Sequence, residues 1–171
     1  MREIRQAGND PSFLLKALSE AAGELRRAFY GLERRDLLVP GKGFDDCWCL
    51  LAIAVHMRDT ERGHLAQFES MIGGREPDLD NVDIDAIPLA DDYAHEDEDG
   101  VMDEFHHLRR ESTYLLWDLA PKEWQRAGYH PYRGRITVLD AAREVYRHDL
   151  EHLWQVKRMV DDLSRSPRRK R

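Results

Sequence analysis

Four stretches of this chain, each of about 25 residues, return an apolar side chain every three or four positions. That period restricts the fold more than any other feature. The first stretch predicts a helix over 11–35, with Asp10 as cap, Pro11 in the first turn, and Leu14, Leu18, Ala21, Leu25, Ala28, Phe29 and Leu32 along one side. The second, over 44–72, is apolar nearly all round in "CWCLLAIAV" and stops at Gly73–Gly74. The third is expected over 97–119, with Phe105, Leu108, Leu115, Leu116 and Leu119 turned inward. The fourth is expected over 137–163, where Val138, Ala142, Val145, Leu153, Val156, Val160 and Leu163 form the stripe. No alternating strand pattern of useful length appears, and "AGYHPYRGR" (127–135) reads as loop. Helices of this length bury their stripes against one another, so the expected fold is all-α, a four-helix bundle.

The 171 residues suit one domain, with an ordered core over about 11–164 and a basic tail over 165–171. The connection over 76–100 is strongly acidic and contains Pro77 and Pro88, which predicts a loop with little regular structure. The net charge is −7, a poor basis for binding nucleic acid, which needs clustered Lys and Arg. No apolar run approaches the roughly 20 residues of a membrane span, and the first residues lack the apolar centre of a secretion signal. The expected location is therefore the cytoplasm. Two cysteines, Cys47 and Cys49, diverge on a helix and make no disulfide framework, so both are expected as reduced core thiols.

Of eight histidines, three stand out by position. His148 and His152 in "YRHDLEHLWQ" are four residues apart, the spacing at which two helical side chains meet one ion. His152 falls at the edge of the apolar stripe and His148 beside it. His56 shares its helix face with the small or uncharged Cys49, Ala52, Ile53, Thr60, Gly63 and Gln67, while Arg58, Asp59, Glu61 and Arg62 point elsewhere. An inward imidazole needs partners, and a metal is one. Three imidazoles would fill three of four tetrahedral positions and leave one open, the arrangement of catalytic zinc; nickel and iron also suit such donors. The competing reading is a polar helix face, with His148 and His152 half exposed beside Asp149 and Glu151. His64, His95, His106 and His107 read as non-ligands. His130, with Tyr129 and Arg133, lies in the loop before the last helix and is a candidate for the mouth of a substrate pocket. Glu144 and Gln155 flank the histidine pair and are candidate partners for ring nitrogens that face away from a metal.

These residues carry a resemblance. The segment His106–Met159, with its proline–acid–Trp turn, its loop bearing histidine and glycine, and its final helix with HxxxH, resembles the DinB-like superfamily. "AVHMRDTERGHL" (54–65) resembles that family's second helix. The resemblance implies an up-down-down-up bundle and a divalent metal on His56, His148 and His152, often in a homodimer. It also implies a metal-dependent transferase or related enzyme that activates a low-molecular-weight thiol, such as mycothiol or bacillithiol, toward a small electrophile. A non-catalytic metal-binding bundle is the alternative.

Overall fold

A computed structural model describes residues 10–41, 48–86 and 88–165. Helix α1 (Pro11–Phe29) starts where Asp10 accepts a hydrogen bond from the Ser12 amide at 2.9 Å, beside a proline at a position whose N–H has no helical partner. It ends at Phe29 rather than at 35, because Gly31 takes φ +78 and turns the chain into a separate single turn, α2 (Arg34–Leu37). Helix α3 (Leu50–Gly73) has the buried Cys49 as its cap; the expected start at 44 and Cys47 lie outside the described residues, as do 166–171 of the basic tail. Helix α4 (Ala90–Tyr93) is one turn, and α5 (Glu98–Trp117) is capped by Asp97, which accepts from the Gly100 amide at 2.8 Å. Helix α6 (Val138–Arg165) opens with a reciprocal pair: the Thr137 amide donates to Asp140 Oδ2 and the Asp140 amide to Thr137 Oγ1, each at 3.1 Å.

Four long helices make the bundle, and their directions follow from which ends meet. Leu14 and Leu18 from the start of α1 pack with Phe68 and Met71 from the end of α3, Leu116 from the end of α5 and Val138, Ala142 and Val145 from the start of α6. Ala22 and Leu25, further along α1, pack with Ile53 and Met57 from the first half of α3, Met102 and Phe105 from the start of α5, and Val156 and Met159 from α6. Thus α1 and α6 run one way and α3 and α5 the other, the up-down-down-up order. Helices α1 and α3 each pack mainly against α5 and α6.

The two apolar clusters are separated by a buried polar level. Glu61 and His64 on α3, Arg109 and Ser112 on α5, and His148, Asp149 and His152 on α6 all lie within it. Polar groups removed from water at mid-bundle must be satisfied there by one another, by water or by a ligand.

Two connections differ from expectation. The segment 127–135 is not plain loop. It holds an antiparallel hairpin, β1 (Ala127–His130) with β2 (Gly134–Thr137), closed by Gly134 at φ +70. Four-residue strands interrupted by Pro131 leave no periodic signal long enough to read. The acidic connection is also more ordered than its composition suggests. Leu79 N–H donates to Tyr129 O at 2.9 Å and Tyr129 N–H to Pro77 O at 2.8 Å, so the connection pairs with β1. Gly128 permits this, since a Cβ there would meet Leu79 at 2.7 Å. Gly63 does the same on α3, where a Cβ would meet Val82 at 2.7 Å. Arg34 donates to the carbonyls of Ala94 and Glu96, and Arg58 pairs with Glu96 at 3.0 Å. The Arg34 and Arg58 side chains and close backbone approach hold the acidic run across α3, where composition alone gives only repulsion.

Candidate metal centre

Helix α3 presents His56, and α6 presents His148 and His152 one turn apart. All three rings are buried. His56 Nε2 lies 2.8 Å from His148 Nε2, and the ring centroids are 4.5–4.9 Å apart. One ring nitrogen from each histidine falls within 4.8 Å of the others. His152 Nδ1 is 2.9 Å from Gln155 Oε1. An amide oxygen only accepts, so Nδ1 carries the hydrogen and Nε2 turns its lone pair to the group. Trp48, just before α3, stands edge-on to His56 at 5.2 Å and tilted over His152 at 5.4 Å.

Burial lowers all three pKa values. His56 falls to about 4, with the His152 ring adding to the effect. His148 falls to about 2, with both other rings adding to it. His152 is lowered by burial against the opposing hydrogen bond from Gln155. Three neutral imidazoles therefore converge at pH 7, each able to offer a lone pair to one point. Two ring nitrogens at 2.8 Å can share a single hydrogen, and the third has no equivalent partner. This donor set fits a divalent ion of the zinc, nickel or iron type, which the three histidines would hold.

A cavity of about 490 Å³ opens beside His56. Val55, Thr60 and Gly63 of α3 form one wall; Asn81, Val82, Asp83, Ala86 and Pro88 of the acidic connection form another, with Asp92 of α4. Among the described residues no lysine or arginine lines it. The mouth expected from Tyr129, His130 and Arg133 is elsewhere. Tyr129 is half exposed near Glu76, the buried His130 accepts from the Tyr132 amide at 3.2 Å, and Arg133 donates to Glu144 Oε1 at 2.5 Å. The hairpin turns these side chains toward α6 and Glu76, while the connection crosses α3 in their place.

Glu144, expected beside the histidine pair, faces Arg133 and His64. Its Oε2 is 3.9 Å from His64 Nε2, and both atoms are buried without a hydrogen-bond partner. His64 Nδ1 lies 2.8 Å from the Thr60 carbonyl, so that nitrogen carries a hydrogen and Nε2 is turned toward Glu144. Burial works to raise the Glu144 carboxyl, yet the facing His64 and the Arg133 guanidinium hold it down to about 2.

The same polar level holds an ionic cluster. Arg109 Nη1 and Nη2 donate to Asp149 Oδ2 and Oδ1 at 2.6 and 2.9 Å. Nη2 also donates to Glu61 Oε2 at 2.7 Å, Nη1 to the Leu18 carbonyl at 2.9 Å, and Ser112 Oγ to Glu61 Oε1 at 2.6 Å. Burial opposes ionisation of Glu61, but Arg109 and Ser112 outweigh it and its carboxyl lies below the ordinary range. Glu61 is therefore not a surface residue, and Asp149 is not the solvated neighbour of His148. One signal could have found them: Arg109 continues the stripe Phe105–Ser112–Leu116, Glu61 the stripe Met57–His64–Phe68, and Asp149 the stripe Val145–His152–Val156. A charge on an apolar stripe is a buried charge that needs a partner.

The DinB superfamily profile matches residues 5–156. The chain belongs to the DinB superfamily. Its bundle superposes on YfiT from Bacillus subtilis with a TM-score of 0.78 at 20% identity, over 90% of this chain and 87% of that one. YfiT is described as a probable metal-dependent hydrolase with an unusual four-helix bundle topology. No curated protein matches the chain. Among the described residues of this DinB protein, no helix is long and apolar enough to cross a membrane.

Proposed function

We propose that His56, His148 and His152 hold a divalent metal ion, and that this DinB protein is a metal-dependent enzyme acting on a small molecule in the cavity beside His56. The observation that carries the reading is the convergence of three buried, neutral imidazoles from two helices next to that cavity. A divalent cation on such donors supplies a Lewis acid that lowers the pKa of a neighbouring water or thiol and polarises a carbonyl. The chain's own residues do the rest. Gln155 fixes the tautomer of His152, Trp48 and the apolar clusters shield the donors, and the acidic connection shapes the substrate wall. With Asp83 and Asp92 on that wall, neutral or cationic substrates are favoured over anions.

Water as nucleophile makes the enzyme a hydrolase, the activity suggested for YfiT. A low-molecular-weight thiol makes it a transferase, because the thiolate is the nucleophile in such chemistry. A non-catalytic metal-binding bundle is the alternative, and the cavity beside His56 favours the enzyme. A homodimer in the cytoplasm completes the proposal, with sedimentation velocity as the test of assembly. The deciding experiment is metal content per chain after purification without a histidine tag, beside a His148→Ala/His152→Ala variant. About one equivalent in the wild type and almost none in the variant is expected. Ester hydrolysis and thiol transfer to an electrophile are then compared on the loaded protein. No uptake of zinc, nickel or iron at neutral pH sinks the reading.

A further inference from the structure

We propose that Arg109 is the positioning residue of the histidine site. By holding Glu61 of α3 and Asp149 of α6 on one guanidinium, it sets the separation of the helices that carry His56 on one side and His148 and His152 on the other. The inference rests on the metal reading above and adds a residue that touches none of the three rings.

Arg109 belongs to α5, which carries no member of the triad. Its five hydrogen-bond donors are planar and fixed relative to one another, so a carboxylate gripped by two of them has little freedom of distance or angle. Asp149 is gripped in this way, and it directly follows His148. Glu61 is held by Nη2 and locked from its other oxygen by Ser112, and it lies on α3 between His56 and His64. Nη1 also reaches the Leu18 carbonyl, so the one side chain touches all four long helices. A shift of α3 against α6 must break or bend these bonds.

Filling the core does not require this arrangement. Above and below, the bundle packs Leu, Met, Phe and Val. Apolar side chains of similar volume are commonly as stabilising as a buried ionic group. What apolar contacts lack is direction: they tolerate sliding, whereas ligands from two helices must meet one ion within about 0.5 Å of a productive geometry. The directional contacts occur at the level of the triad and on the two helices that supply it.

The test uses cobalt(II) as the probe, with affinity read by chelator competition and coordination geometry by visible absorption. Three full-length proteins are compared: wild type, Arg109→Lys, and the volume-matched Glu61→Leu/Arg109→Met/Asp149→Leu. The triple variant is expected to keep its helical content and melting temperature, yet to bind cobalt about 10–100-fold more weakly with an altered visible spectrum. Arg109→Lys keeps the charge and loses the fork, and is expected to show the same changes in smaller degree. A folded triple variant with wild-type affinity and spectrum overturns the positioning role and leaves the metal site standing. Should the triple variant not fold, Arg109→Lys decides by the same two readouts. No cobalt or zinc uptake by the wild type overturns the metal reading and the positioning role together.

Discussion

The polar level of the bundle has two halves that handle burial in opposite ways. In the Glu61–Arg109–Asp149 half one guanidinium reaches both carboxyl groups, while burial still raises the Asp149 carboxyl and leaves Arg109 Nε without a partner. The histidine half is neutral, and its donor nitrogens converge without enough hydrogens to satisfy one another. Directed bonds from one guanidinium to two helices favour one arrangement of those helices. Lone pairs that converge and stay neutral offer a place for something else. Both halves look alike as polar residues on apolar stripes, so burial alone does not distinguish structure from function; whether the polar atoms point at one another or converge on a shared point does.

This contrast can be broken most forcefully in the charged half. Arg109→Met leaves two carboxylates buried without their cation, and is expected to destabilise the fold by about 3–5 kcal/mol, with a fall in melting temperature of roughly 10 °C. Urea denaturation of the metal-free protein measures it, and a loss below about 1 kcal/mol would show that the cluster is not closed as described.

Acid attacks the other half. The folded-state pKa values of the three histidines lie below their unfolded values, so below about pH 6.5 the unfolded chain binds more protons. Stability from this source is present in full above about pH 6.5 and declines as pH falls toward the folded-state pKa of His56, about 4. His56 alone is expected to account for about 3 kcal/mol over that window. A His56→Leu/His148→Leu/His152→Leu variant should lose most of this pH dependence in thermal melts. An unchanged slope would place the acid sensitivity elsewhere.

Two smaller changes sharpen the comparison. Gln155→Met removes the acceptor that fixes His152, and is expected to weaken zinc binding about 10–100-fold with little change in metal-free stability. Equal zinc affinity in a competition titration would remove Gln155 from the site. Glu144→Gln gives up the carboxylate charge that faces Arg133 at 2.5 Å and His64 across the 3.9 Å gap. The net change in stability is expected to stay within about 1 kcal/mol of zero. A much larger loss would show that the fold depends on the carboxylate charge there.

The bundle and the histidine set were largely legible in the sequence. Leu14, Leu18 and Leu25, or Val138, Ala142, Val145 and Val156, repeat at the period of a helix, and all are buried. The i, i+4 pair His148 and His152 shares a face through local geometry alone, and His56 faces inward because the start of α3 is apolar nearly all round. Periodicity is a short-range property of the chain, so it can be read without the fold. The hairpin, the seating of the acidic connection and the Arg109 cluster were not legible. Each depends on contacts between residues far apart in the chain: Pro77 and Leu79 with Tyr129, Val82 with Gly63, Arg109 with Glu61, Asp149 and Leu18. The sequence by itself therefore determined four amphipathic helices and which histidines point inward. Only the tertiary structure decided that the cavity wall is acidic connection rather than hairpin, and that a buried arginine joins two carboxyl groups beside the triad. Helical period sets where a side chain points, but partners are chosen by packing in three dimensions.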